Sequence, residues 1–515
     1  MSVHASLGAV RARSSTVVQL ALAAGTGAAV AVAVGGLSLG FIIWYGLVVH
    51  ARSHPFADEL TLLVALGTGL LGGFAAWYRY AGYLSRRARV PREAALRLDA
   101  WSWPALALFP LLVSQPFWVV SNGRAVGTAV AAFGLVKLVT AARLNQTVRD
   151  VLITFVVTRV PILVIAELAS VIIGQRSGTH IAESANPLLV VWGRWDAVHY
   201  LDIAQRGYYG TDMAFFPLFP ALINLLGRLI GNDLVAGLII SNSAAFFGSL
   251  FFYKLVEHQY NRAVAHRAIF YVSIFPTAVF FSAVYTEALF FALTVASFYY
   301  IREHRWLAAG LLGGLAALTR AEGVLLVVPY AIEVGAAANL FGWRSYFGSP
   351  QHNSRLLLGG ALIPAGLGIY MAFLWVLTGD PLYFSHVQAH WDRHFAAPWV
   401  SVVHSIATIA HTNVGVTIAN QALEIAFTAL MIAILIGGLW RLRPSYSAYM
   451  AISILVPMST SSLMSMPRFA LVLFPMFVTL ALWGNRSWVN NAIVAFSLPL
   501  LGLFTVLFAD WYWVA

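Results

Sequence analysis

Apolar segments about as long as a membrane is thick recur along the whole chain. They lie at residues 16–49, 58–81, 101–120, 125–142, 150–174, 234–257, 266–283, 285–302, 306–319, 323–340, 355–378, 420–440, 446–460, 468–484 and 488–508. A helix of about 20 apolar residues crosses the hydrocarbon core of a bilayer and satisfies its own backbone hydrogen bonds there. The pattern therefore predicts an all-α polytopic membrane protein.

The composition supports a membrane protein and excludes several other classes. Of the 515 residues, 60 % are hydrophobic and 10 % are charged, whereas soluble domains carry roughly 25 % charged residues. The net charge of +11 comes from basic residues spread through short loops, so we expect no nucleic-acid partner. The lack of cysteine excludes disulfides and thiol chemistry. We interpret the first apolar run as a retained span, because it is too long for a signal peptide.

Arginine in the short loops predicts the orientation of the helices. Cytoplasmic loops are enriched in basic residues, and the strongest basic cluster lies between residues 79 and 97. Placing the basic loops in the cytoplasm gives a cytoplasmic N-terminus and requires residues 213–231 to be re-entrant or interfacial. The outer face then carries the unusual polar groups, in segments 175–215 and 379–418 and near Glu287, Arg320 and Arg468. We therefore expect one functional site on the outer face.

The most unusual polar segment is 186–220, between two apolar stretches. An ionisable cluster beside a membrane is costly unless it works in water or at an interface. On a helix, Asp196, His199 and Tyr200 stand at i, i+3 and i+4 and share one face. A carboxylate beside a histidine and a tyrosine is able to act as a general base toward a hydroxyl.

A structural explanation fits the same spacing equally well. In it, the segment is an interfacial amphipathic helix whose Trp192, Trp195 and Tyr200 are anchors at the lipid headgroups. Asp202 and Arg206, four residues apart, are expected to form a surface ion pair that contributes little stability. The spacing leaves the catalytic and the interfacial interpretations open.

Two arginines and a glutamate stand at the outer ends of apolar runs. Arg320 and Arg468 lie there against the positive-inside trend. An arginine at the end of a span extends harmlessly to the interface, or binds a phosphate through its planar fork. Two such arginines on one face favour an anionic ligand. For Glu287, which begins an apolar run, contact with water is the simpler explanation.

The second large outer element, residues 379–418, mixes aromatic and charged side chains, as in a short helix lying on the membrane surface. His386, His390 and His394 recur every four residues, a spacing compatible with metal ligands. Because no carboxylate completes a convincing site, we interpret them as a polar stripe of a surface helix and predict no metal site.

The spans before residue 145 contain little polar material, so we divide the chain into an added N-terminal module of about four spans, 1–145, and a core, 146–515.

The core carries a specific motif, Trp195-Asp196-x-x-His199-Tyr200-x-x-Ile203-Ala204-x-x-Gly207-Tyr208, followed by Phe215-Phe216-Pro217-Leu218-Phe219-Pro220. Three individually weak stretches follow at residues 280–290, 316–323 and 467–475. In this order they resemble the PIG-V mannosyltransferase family, which adds the second mannose in GPI-anchor assembly and has prokaryotic relatives. The resemblance covers about residues 150–510.

The resemblance implies a glycosyltransferase of the GT-C type, a transmembrane helix bundle with juxtamembrane helices on its outer face. Such enzymes take a sugar from a polyprenyl-phosphate carrier, invert the anomeric centre and place a catalytic aspartate in the first large outer loop. Asp196 matches that position, so we expect it to accept the proton of the acceptor hydroxyl. We expect Arg320 and Arg468 to neutralise the leaving phosphate, and His199, Tyr200 and Glu287 to contact the substrate.

The outer segment 379–418 is expected to close over this site and to help choose the acceptor. It carries substrate-binding candidates in an order that resembles prokaryotic family members: Asp380, Gln388, Trp391 and Arg393. Tryptophan and arginine planes stack well on sugar and carrier groups.

The resulting prediction is a transferase of a sugar, mannose, from a polyprenyl-phosphate donor to a lipid or glycan acceptor. The arginine-over-lysine bias suggests a prokaryote, so we expect the protein in a prokaryotic plasma membrane. The basic loops and the resemblance imply an active site on the extracytoplasmic face. Membrane lipids are the other expected partners; no cofactor is implied, and a divalent metal stays open. The alternatives are a flippase and a non-catalytic lipid-binding subunit. A transporter is expected to show related halves and ionisable groups near the midplane, whereas the polar groups here gather at one face.

Overall fold

A computed structural model describes residues 145–173 and 187–514 of the chain, together with Arg86. Within these ranges the chain forms helices and no β-strand, and one isolated antiparallel bridge joins Phe395 and Thr460. The prediction of an all-α protein is thus confirmed for this part of the chain. Apart from Arg86 and Asn145, the expected N-terminal module lies outside the described residues.

The α-helices are joined by short connections, several of which contain a 3-10 turn. In chain order the helices are α1 (Gln146–Ile172), α2 (Pro187–Val190), α3 (Asp196–Arg206), α4 (Leu218–Ile230), α5 (Asp233–Gln259), α6 (Arg262–Ser273), α7 (Glu287–Arg302), α8 (Trp306–Thr319), α9 (Val327–Phe341), α10 (Trp343–Tyr346), α11 (Pro350–Thr378), α12 (Tyr383–His386), α13 (Pro398–His411), α14 (Gly415–Gly438), α15 (Pro444–Met458), α16 (Met466–Val472), α17 (Phe474–Trp483) and α18 (Ser487–Ala509). The 3-10 turns are Val191–Gly193, Gly210–Ala214, Ala278–Phe281, Ala321–Leu326 and Val387–Trp391.

Six helices of the described ranges are long and apolar enough to cross a membrane. They are α1, α5, α9 with the 3-10 turn before it, α11, α14 and α18, and the bent pair α16 and α17 gives a seventh if it forms one span. The bend of 74° falls at Leu473, just before Pro475, whose ring removes a backbone donor and interrupts the helical bonding.

Most helix bounds agree with the predicted apolar runs within a few residues. Two apolar runs, 266–283 and 468–484, do not form single helices. In the first, the helix ends at Ser273; the second is divided into two helices at Leu473. The segment expected to be re-entrant or interfacial contains α4. Its 13 residues extend about 20 Å, less than the roughly 30 Å of a bilayer core.

A close helix contact joins α8 and α11 and depends on glycine. A Cβ atom placed on Gly310 would lie 2.0 Å from the carbonyl oxygen of Gly359, and one on Gly366 would lie 2.0 Å from that of Gly314. The two backbones therefore touch. Small residues of this kind drive helix association in membranes, where lipid gives no hydrophobic drive between helices.

The fold brings four charged residues together at the ends of helices. Asp196 begins α3, Glu287 begins α7, Arg320 directly follows α8, and Arg468 lies in the first turn of α16. Asp196, Glu287, Arg320 and Arg468 thus each lie at or directly beside the end of a helix. The candidate site is where these four ends meet.

Candidate active site

The turn before Asp196 is held in an uncommon backbone conformation. Trp195 has φ +59° and ψ −126°, a region that glycine favours and bulky residues rarely adopt. Its indole ring packs against Trp511 and Trp513, with ring centroids 5.5 and 5.3 Å away. This packing offsets a backbone cost of about 1–3 kcal/mol and fixes the direction in which α3 begins.

Tyr285 clamps the same turn from the other side. Its hydroxyl donates to the carbonyl oxygen of Arg194 at 3.2 Å and accepts the backbone N–H of Asp196 at 3.2 Å. Asp196 is the first residue of α3, where the helix dipole favours a carboxylate. The position of Asp196 is thus set by a tyrosine from a distant part of the sequence.

The Asp196 carboxylate is the accessible end of a chain of ion pairs. Nη1 of Arg468 donates to Oδ2 of Asp196 at 2.7 Å, while Nε and Nη2 of Arg468 donate to Oε1 of Glu287 at 2.9 and 2.8 Å. Nη1 of Arg320 donates to the same Oε1 at 2.8 Å. The side chain of Asp196 is 24 % exposed, whereas that of Glu287 is 0 % exposed.

The burial of these groups corrects the interpretation of Glu287 and argues against one of the two alternatives for the arginines. Glu287 is not a solvated boundary residue, because it is completely enclosed and one of its oxygens joins two arginines. Arg468 and Arg320 do not extend to the interface, since their side chains are 6 % and 12 % exposed. The rings of Phe280 and Tyr285 lie about the Arg468 guanidinium, 5.1 and 5.0 Å from ring centroid to Cζ, and add cation–π attraction.

His199 and Tyr200 lie on the predicted helix, but their polar atoms bond residues other than Asp196. The Nδ1 atom of His199 lies 2.7 Å from Oδ1 of Asp212, and its ring stacks on Phe215 with centroids 4.5 Å apart. The Tyr200 hydroxyl shares a hydrogen bond of 3.2 Å with Thr286. Burial raises the pKa of Tyr200 well above its usual value, so the phenol stays protonated at neutral pH. Neither side chain hydrogen-bonds to the Asp196 carboxylate in the described part of the chain.

The interfacial interpretation of α3 is wrong for two of its three proposed anchors. Trp192 and Tyr200 are both buried in the protein and are therefore not available to lipid headgroups. The predicted surface ion pair is confirmed: Nη2 of Arg206 lies 2.9 Å from Oδ1 of Asp202, and both side chains are exposed.

The outer segment does not form the single helix that the histidine spacing suggested. It contains α12, a 3-10 turn, a left-handed Asp392 at φ +53° and then α13. His386, His390 and His394 consequently do not share a helical face. His386 instead bonds Asp380, with Nδ1 2.6 Å from Oδ2, and this hydrogen bond lowers the pKa of the Asp380 carboxyl. Among the residues that the structure describes, no three His, Asp or Glu side chains are grouped to hold a metal ion.

The same segment nevertheless reaches the site. The Trp391 ring stands edge-on to the rings of His199 and Phe215, at 6.5 and 6.2 Å between centroids. Arg393 donates from Nη2 to the carbonyl oxygen of Met464, and burial lowers its guanidinium pKa. Within the described ranges no carboxylate lies within 4.0 Å of Arg393. Gln388 is half-buried in the 3-10 turn.

Sequence reasoning missed Glu424, a buried carboxylate inside the candidate span α14. Its Oε1 and Oε2 accept the backbone N–H groups of Ser465 and Met466 at 2.9 and 2.8 Å. These residues precede Arg468 by one turn. An acidic residue within an apolar run was a usable signal, since such residues are rare in spans and are usually functional.

The fold and the site define a helical membrane protein with a part-exposed carboxylate held by buried arginines at converging helix ends. Residues 135–335 match the model of the mannosyltransferase (PIG-V) family, which confirms the resemblance over that part of the chain. The match includes Asp196, Glu287 and Arg320 and ends before Arg468.

A curated relative agrees with the family match. GPI alpha-1,6-mannosyltransferase 2 of Rattus norvegicus is 33 % identical over 153 residues, which cover 26 % of this chain and 30 % of that protein. The chain thus spans less than a third of the length of this relative. No solved structure matches the chain.

Proposed function

We propose that this protein is an inverting membrane mannosyltransferase. It transfers mannose from a polyprenyl-phosphate carrier to a hydroxyl of a lipid-linked or envelope glycan, at the extracytoplasmic face of a prokaryotic plasma membrane. The observation that carries the proposal is the Asp196 carboxylate. It is accessible within the family motif, while its partner Arg468 and the second carboxylate that Arg468 binds, Glu287, are buried. A site that exposes one carboxylate on a rigid, enclosed support suits proton abstraction.

Asp196 acts as the general base in this reaction. Its Oδ2 is taken by Arg468, and we assign the acceptor's proton to Oδ1. The acceptor oxygen attacks the anomeric carbon, the bond from that carbon to the phosphate oxygen breaks, and the phosphate leaves with the electron pair. The proton of the acceptor hydroxyl passes to Asp196. His199 and Tyr200 shape the wall beside the base, since their polar atoms are bound to Asp212 and Thr286.

The leaving phosphate needs positive charge. Arg320 and Arg468 are proposed contacts, yet each already shares Oε1 of Glu287. Arg393 has no carboxylate within 4.0 Å in the part of the chain that the structure describes. The negative charges that act on its guanidinium are those of Glu424, Glu322 and, more weakly, Asp196. We therefore add Arg393 as the first phosphate contact, with Arg468 behind it. Trp391 and the rest of segment 379–418 would cover the acceptor.

Transfer from polyprenyl-phosphate-mannose in a membrane extract, with mass analysis of the product, tests the proposal. Asp196→Asn should lower turnover by about 100- to 10,000-fold, the usual effect of removing a positioned base. Asp202→Asn is the matched control, because Asp202 lies on the same helix in an exposed ion pair, and it should transfer normally. Near-normal transfer by Asp196→Asn would rule out the assignment. Movement of the donor across vesicles without any product would support a flippase.

A further inference from the structure

Glu424 is a buried carboxylate that the proposed reaction does not use. It lies in the middle of the candidate span α14 with 4 % of its surface exposed. Both of its oxygens are taken by backbone groups, the N–H of Ser465 and the N–H of Met466. A carboxylate in such a place is costly unless it has specific partners. These two bonds, together with the nearby positive charges of Arg393 and Arg468, explain its presence.

The two N–H groups belong to the turn that starts α16. Ser465 has φ +74°, a left-handed conformation that is uncommon outside glycine. The first N–H groups of a helix have no partner within the helix, and in a span no water replaces one. Glu424 therefore stabilises both the unusual turn and the start of α16.

The same turn holds the arginine that binds the general base. The backbone N–H of Arg468 donates to the carbonyl oxygen of Ser465 at 3.0 Å, and its guanidinium holds Asp196 and Glu287. Ser465 is thus bound at its N–H by Glu424 and at its carbonyl by Arg468. A shift of this turn moves Arg468, and Arg468 is the side-chain partner of Asp196.

We propose that Glu424 is a positioning residue that sets Arg468 and, through it, the Asp196 carboxylate. The link to catalysis rests on the proposed function, whereas the link from Glu424 to the turn and to α3 does not. Glu424 touches no substrate; it acts through the backbone of residues 465–468.

Hydrogen exchange measured by mass spectrometry on the full-length protein tests the positioning directly. Glu424→Gln keeps one acceptor oxygen and turns an NH2 group toward a backbone N–H, so one of the two bonds is lost. Glu333→Gln is the matched control, since Glu333 is also a buried carboxylate in a candidate span, bound by Arg302 and Arg443. We expect faster exchange in peptides 462–470 and 194–206 for Glu424→Gln, and no change in either for Glu333→Gln. Unchanged exchange in 194–206 would overturn the proposal, whatever the activity.

A kinetic cycle separates positioning from general destabilisation. A displacement of about 1 Å costs up to about 100-fold in rate, so Glu424→Gln should lower kcat about 10- to 100-fold and leave KM for the donor within about 2-fold. In an Arg468→Lys background the same change should lower kcat little further, because the arginine that holds Asp196 is already absent. If the losses in kcat from the two substitutions were additive, Glu424 would not act through Arg468. If the wild-type protein transfers no mannose, the proposed function fails, and the exchange measurement still decides the role of Glu424.

Discussion

Arg468 joins two carboxylates that the sequence places far apart. Its guanidinium uses separate nitrogens for Asp196 and for Glu287, a task for which the planar fork of arginine is suited and the point charge of lysine is not. Glu287 depends on Arg468 and Arg320 for neutralisation, since it has no contact with solvent. Arg468 is therefore a structural residue as well as a member of the proposed site.

Arg468→Ala should unfold the protein more easily as well as reduce transfer. Removing one partner of a buried ion pair costs about 3–5 kcal/mol, because the other charge stays buried. We expect a clear fall in melting temperature for Arg468→Ala, a smaller fall for Arg468→Lys, and reduced donor use for both. Arg206→Ala, at an exposed pair, should melt like the wild type. A melting temperature of Arg468→Ala equal to that of the wild type would contradict the buried pairing.

Trp195 allows a test of backbone strain with two substitutions that remove the same ring. Trp195→Ala and Trp195→Gly both lose the packing on Trp511 and Trp513, but alanine keeps a Cβ atom at φ +59°. We expect the glycine variant to be the more stable by about 1 kcal/mol, the reverse of the order at most positions. Chemical denaturation of the two variants measures the difference, and a more stable alanine variant would show that the turn relaxes.

At the level of helices, the sequence predicted much of what is observed, because apolar length decides where a span forms. The apolar run at 306–319 has the same first and last residues as helix α8. The helix predicted for the motif is α3, which begins at Asp196. The prediction of a histidine stripe on one helix was wrong, because a 3-10 turn follows His386 and Asp392 adopts a left-handed backbone before His394. The spacing of the histidines does not reveal either feature. The ion pairs of Arg468 were not predictable from the sequence. Its partners Glu287 and Asp196 stand 181 and 272 positions earlier in the chain, and the pairs depend on how the helix ends converge.

The contact between α8 and α11 predicts opposite effects for two glycines. Gly310→Ala would place a methyl group 2.0 Å from a backbone oxygen of α11, so the helices must separate, at a cost of about 1–3 kcal/mol. Gly368→Ala, in α11 with nothing within 4 Å, should be neutral or stabilising by up to about 1 kcal/mol. Melting temperatures in detergent measure both. Equal effects would argue against backbone contact between these helices.

Considered as a whole molecule, the site is completed by residues beyond the family match. The matched range 135–335 supplies Asp196, Glu287 and Arg320, while Arg468, Glu424 and Arg393 come from later in the chain. A fragment limited to the matched range would leave Asp196 without its arginine and Glu287 with one of its two. The proposed activity therefore requires the C-terminal helices.

Cysteine labelling tests the proposed orientation, because the chain contains no cysteine. Ser345 and Ser385 are exposed and flank α11, whose 29 residues extend about 43 Å, enough to cross a bilayer. We expect Ser385→Cys to react with an impermeant thiol reagent in intact cells, and Ser345→Cys to react only after the membrane is opened. The reverse pattern would place Asp196 on the cytoplasmic side and overturn the extracytoplasmic assignment.

The three N–H groups that meet at one oxygen of Glu287 connect α8 and α16 at a single atom. Each of these two helices packs against a candidate span, α8 against α11 and α16 against α14. Spanning helices adjust their tilt to the thickness of the surrounding hydrocarbon, so a change of tilt in α11 or α14 is transmitted to the arginine that holds Asp196. Turnover in reconstituted vesicles should consequently vary with the acyl-chain length of the lipids and pass through an optimum, which would make the bilayer itself a regulator of this protein.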